Sequence, residues 1–128
     1  MRTYLALSHS QLESFISALS MQVETLFAPT SNFLVDNDDC DSEELEYLLS
    51  VAAGAKALEL RNSKLAPGLV LAIEIDYNQV AQEGADSLTL NSPVRWDQVQ
   101  CALLAYDDED ELTWFATQEI ADELASWK

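Results

Sequence analysis

The chain has 128 residues, 48% of them hydrophobic, and a net charge of −17 at pH 7. That length fits a single domain, residues 1–128, with enough apolar material to form a core without disulfide or metal staples. So large a carboxylate excess repels phosphate backbones and anionic lipid, which excludes direct nucleic-acid binding and membrane-surface binding and favours a positively charged partner protein or metal ions.

In chain order, Thr3-Tyr4-Leu5-Ala6-Leu7 reads as a short buried strand. Ser10 is the expected start of a helix, with Glu13 completing a capping box and Leu12, Phe15, Ile16, Leu19 and Val23 at helical spacing. Residues 27–35 are broken by Pro29 and Asn32 and read as irregular, with room for a short strand at either end. The strongest helix is expected from Asp41 to Arg61, capped by Asp41 and carrying Glu43, Glu44 and Glu46 at its positive end. Leu45, Leu48, Leu49, Ala52 and Ala55 are its expected core face, widened by Val51 and Leu58.

Pro67 and Gly68 mark a break, after which residues 69–77 form the clearest strand. Residues 78–85 read as a loop or short helical turn, and Ser87 to Asn91 as a short strand. Trp96 and Val99 are expected to plug the core through a single turn. Cys101 to Tyr106 and Leu112 to Ala116 are expected to pair as a hairpin across an acidic loop, and Gln118 to Trp127 to close the chain as a short helix. The expected fold class is α+β: a small, mainly antiparallel sheet with two main helices on one face and a short C-terminal helix.

The two cysteines, Cys40 and Cys101, are not spaced as a redox or zinc pair, and both read as reduced. No apolar run approaches the roughly 18 residues that span a bilayer, and the N-terminal apolar segment is too short for a signal peptide, so a cytoplasmic location is expected.

Chemical motifs are sparse. The glycines, Gly54, Gly68 and Gly84, make no phosphate loop, and His9 is the only histidine, expected as a capping or surface group. No cofactor is implied. Asp36, Asp38 and Cys40 alternate like the start of a calcium loop, but Asp41 stands where the turn glycine belongs and Tyr47 where the closing glutamate does. Glu74 and Asp76 lie two apart on a strand and share a face, an arrangement that can hold a divalent ion or do acid–base work, or simply reach solvent. Trp114 and Phe115 are adjacent on a strand, so one enters the core and the other is free to act as a binding anchor.

Two groups of short motifs, Arg2-Thr3-Tyr4-Leu5 with Glu43-Glu44-Leu45-Glu46-Tyr47, and the run from Leu112 to Ile120, resemble a family of small actinobacterial proteins of unknown function. The resemblance implies no activity, substrate or catalytic residue.

The preferred reading is a non-enzymatic acidic binding protein that engages a basic partner protein through Asp36, Asp38, Asp39, Asp41, Asp107, Asp108, Glu109, Asp110 and Glu111. The alternatives are a small divalent-metal-dependent enzyme using Glu74 and Asp76, and a nucleic-acid mimic that blocks a DNA- or RNA-binding protein.

Overall fold

Cap chemistry sets the helix limits. A computed structural model describes all residues from Met1 to Lys128. The first strand, β1 (Arg2–Leu7), leads straight into α1 (His9–Ala18). The capping box forms two residues earlier than the Ser10–Glu13 spacing suggests: Ser8 Oγ accepts from the Gln11 amide at 3.2 Å, and Gln11 Oε1 accepts from the Ser8 amide at 2.8 Å. Gln serves at this third position as well as Glu does. The helix stops at Leu19, which takes a left-handed conformation (φ 64°), donates its N–H to Phe15 O and stays exposed. Residues 31–36, expected to be irregular, form α2 (Ser31–Asp36), because Thr30 Oγ1 caps the Phe33 amide. The long helix α3 (Ser42–Glu59) starts where expected, with Asp41 Oδ1 accepting from the Glu44 amide at 2.8 Å.

Strands β3 (Leu26–Phe27), β4 (Gly68–Glu74), β5 (Val80–Glu83), β6 (Ser87–Leu90), β8 (Val99–Ala105) and β9 (Thr113–Ala116) join β1 in one antiparallel seven-stranded sheet, ordered β5-β6-β3-β1-β4-β8-β9. A separate two-stranded ribbon pairs β2 (Ser20–Met21) with β7 (Val94–Arg95). The β8–β9 hairpin forms as the alternation predicts. The region after β4 contains a short helical turn, one of the two expected alternatives, at Tyr77–Gln79, and then β5, a strand outside that expectation. The chain ends in α4 (Thr117–Glu123) and a 3₁₀ turn, Leu124–Trp127.

The α+β expectation holds, but the two main helices divide between the faces of the sheet instead of sharing one. Leu5, Leu7, Leu69, Leu71, Ile73 and Leu104 pack with Leu12 and Phe15 of α1, Ile120 of α4 and Trp127. Tyr4, Val70, Ala72 and Cys101 pack on the opposite face with Leu49, Ala53 and Ala57 of α3. Both alternating sets of β4 are apolar up to Glu74, so this central strand must be covered on both sides.

The buried face of α3 is turned from the expected one: Leu49, Ala53, Gly54 and Ala57 are buried, while Leu48 and Ala55 are exposed. Small residues decide this orientation, because they let the helix lie close to the sheet. A Cβ on Gly68 would fall 2.9 Å from the backbone of Ala57 and Leu58, so only glycine allows the last turns of α3 to rest on the start of β4.

Candidate functional site

The face under α3 carries a row of polar side chains that reaches the start of the helix. Arg2 and Tyr4 are two apart on β1, so both point toward α3. Arg2 Nε donates to the Tyr4 hydroxyl at 3.2 Å, and its guanidinium carbon stands 5.9 Å from the Tyr4 ring centre. The register Tyr4↔Ala72↔Cys101 carries the row across the sheet, and Arg2 Nη2 donates to Cys101 Sγ at 3.7 Å. Trp114, on the same face of β9, leans over Cys101.

Electrostatics follow from this packing. Burial works against the Arg2 charge, but Tyr4, Cys101 and Glu46 outweigh it and hold the guanidinium above its ordinary value. Burial raises the Tyr4 phenol, with Arg2 offsetting part of the effect. Burial likewise pushes the Cys101 thiol up against the pull of Arg2 and Trp114.

Beside Arg2, a groove of about 300 Å³ runs between the first turns of α3 and the loop before α2, lined by Met1, Pro29, Leu34, Leu45, Glu46 and Tyr77 among others. Arg2 and Glu46 face the same groove without forming an ion pair.

On its other side, α3 approaches the segment that leads into the edge strand β9. Glu43, Tyr47, Ser50 and Gly54 fall on one stripe of the helix. That stripe faces that segment, since a Cβ on Gly54 would meet Leu112 Cδ2 at 3.1 Å. Leu112 and Trp114 alternate toward the same side, the face of the sheet that α3 covers. Both rings are exposed, Trp114 by 60% and Tyr47 by 54%, and Val51 of α3 by 40%. Trp114 is thus the outward member of the Trp114–Phe115 pair; Phe115 packs edge-on against Trp127 with ring centres 5.1 Å apart.

The two acidic runs lie at opposite ends of α3. Asp36, Asp38, Asp39 and Asp41 surround its start, and Asp107 to Glu111 its end. For a helix of 18 residues this is a separation of about 27 Å, so the runs do not merge into one compact cluster. Three of the nine residues have structural partners: Asp39 accepts from Cys40 Sγ at 3.8 Å, Asp41 caps α3, and Asp107 accepts from Arg61 Nη1 at 3.0 Å and Nη2 at 3.3 Å. The remaining six are exposed and free of ion pairs. Cys40, in the turn before α3, has its thiol raised by burial and by the carboxylates of Asp39 and Glu44.

Glu74 ends β4, exposed, with Oε1 3.4 Å from the N-terminal ammonium; Asp76 stands at the start of the following 3₁₀ turn. No group of three or more His, Cys, Asp or Glu side chains is gathered closely enough to hold a metal ion. His9 is buried rather than a surface cap: Nε2 is 2.7 Å from Leu124 O and Nδ1 2.9 Å from Glu13 Oε1, so it ties the C-terminal segment to α1.

Sequence reasoning did not single out Arg2, Tyr4 or Glu46 as site residues. A signal for them exists, because three of the short motifs, Arg2-Thr3-Tyr4-Leu5, Glu43-Glu44-Leu45-Glu46-Tyr47 and the run containing Trp114, converge on this one face.

No helix is long and apolar enough to cross a membrane. Neither a curated protein nor a solved structure matches the chain. Residues 1–110, which include β1, α3 and the whole of β4 and β8, match a family of unknown function, DUF6912, and the chain belongs to that family.

Proposed function

We propose that the protein is a non-enzymatic binding module whose acidic surface captures a basic protein segment along the outer side of α3, next to Trp114. The observation that carries this reading is the exposed ring of Trp114, on the face of the sheet that α3 covers, with carboxylate runs at both ends of that helix. A large exposed aromatic is a strong anchor once a partner dries it, and flanking charge supplies steering and register. The matching segment has an apolar centre and Lys or Arg toward both ends, on the scale of the helix length. Free Cys40 and Cys101 support a reducing, cytoplasmic setting, and the short motifs support an actinobacterial source.

The test is affinity capture from nuclease-treated host lysate, eluted along a salt gradient, with wild type and two variants. One is Trp114→Ala; the other neutralises Asp108, Glu109, Asp110 and Glu111 together, leaving Asp107 to its Arg61 bond. A single stoichiometric basic protein is expected, lost with the first variant and released at lower salt with the second. Equal retention by wild type and both variants would reject this side of the molecule as the binding surface.

A further inference from the structure

The groove at the start of α3 lies apart from the proposed partner surface and asks for a different kind of ligand. Of the three arginines, Arg61 and Arg95 each pair with a carboxylate, Asp107 and Asp97, while Arg2 pairs with none. That is unusual in a chain with 23 acidic residues and six Lys and Arg. Arg2 spends Nε on the Tyr4 hydroxyl and one Nη2 proton on Cys101 Sγ, both neutral acceptors. Both Nη1 protons and the second Nη2 proton are left, and the edge between these two nitrogens is the one that grips a carboxylate with two parallel bonds. Tyr4 and Cys101 fix the guanidinium plane, so little ordering is left for a ligand to impose.

Glu46 faces the same groove and makes no ion pair of its own. Two opposite charges that look into one cavity without meeting leave a gap for a ligand carrying both complements. The remaining walls are Leu34, Leu45, Leu49, Pro29, Met1 and Tyr77, which suit an apolar group. The volume, about 300 Å³, is at the small end for a ligand site and suits a compact molecule.

We infer that this groove binds a small apolar zwitterion of the amino-acid class. Its carboxylate lies on the Nη1–Nη2 edge of Arg2, its ammonium points to Glu46, and its side chain lies against Leu34, Leu45 and Tyr77. Net charge favours this ligand over a simple anion: the field of a −17 protein repels a lone carboxylate, but a zwitterion brings no net charge into it.

The test uses three probes of one carbon skeleton on the full chain: L-leucine, 4-methylpentanoate, which lacks the ammonium, and isopentylamine, which lacks the carboxylate. Titration is followed by amide chemical shifts. Leucine is expected to shift Ser42, Leu45, Leu49 and Tyr77 saturably, and each truncated probe to bind about tenfold more weakly or worse, the loss of one charge-assisted contact. Arg2→Met should abolish leucine binding. Glu46→Gln, an exposed change that leaves the core untouched, should bring leucine down to the affinity of 4-methylpentanoate. No saturable shift with leucine at millimolar concentration would overturn the inference. So would equal binding of leucine and 4-methylpentanoate, which would leave Glu46 without a role.

Discussion

The two faces of the sheet are built on different principles. The face under α1 is filled by large interlocking side chains: Leu12 and Phe15 meet Leu7, Leu71, Ile73 and Leu104, and Phe15 stands edge-on to Trp96 with ring centres 5.0 Å apart. The face under α3 brings the backbone close through Ala53, Ala57, Ala72 and Gly68, and where the helix begins it gives way to Arg2, Tyr4, Cys101 and Glu46. One face supplies stability by area and dispersion; the other holds charged groups in place against a helix that cannot cover them.

The largest effect should come from opening the first face. Phe15→Ala removes a fully buried ring and should cost about 3–5 kcal/mol of unfolding free energy, read from urea denaturation, which is enough to threaten folding of a marginally stable domain. On the second face the sensitive point is close approach rather than volume. Gly68→Ala puts a methyl 2.9 Å from the backbone of Ala57 and Leu58, and should cost roughly 1–3 kcal/mol by lifting the end of α3. Hydrogen exchange should then rise in residues 54–60, with α1 keeping its protection; a uniform loss of protection would mean that the two faces are not separable as argued. Smaller still is Asp41→Ala, which removes the α3 cap and should cost about 1 kcal/mol. It sharpens the comparison, since it tests whether an acidic residue of the first run serves the helix. No change in stability would return Asp41 wholly to the partner surface. Trp114→Ala should shift stability by no more than about 0.5 kcal/mol, as its ring is mostly in solvent, although it should abolish partner capture.

The extent to which the fold could be read from the residues varied with the kind of signal. Asp41 announces α3, and the alternation around Cys101 to Ala116 announces the β8–β9 hairpin, because caps and period-two patterns are local. The helix α2 escaped notice because Pro29 and Asn32 look like breakers, whereas Pro29 lies before the Thr30 cap and Asn32 is on the exposed side of a helix only six residues long. The rotation of α3 was hidden by its composition: with alanines on nearly every side, Leu45, Leu48 and Leu49 define the apolar stripe only weakly. The acidic runs could be read as surface from their charge alone, and five acidic positions in the second run mark the loop between β8 and β9.

By itself the sequence determined the dominant negative charge, the start of the long helix and the α+β class, since each depends on composition or on contacts within a few residues. The tertiary structure alone decided that the helices cover opposite faces, that the two acidic runs stand at opposite ends of α3, and that Arg2, Glu46 and Trp114 belong to one side of one sheet. Those facts depend on strand order and on which glycine admits which backbone, and pairings between residues tens of positions apart leave no periodic trace along the chain.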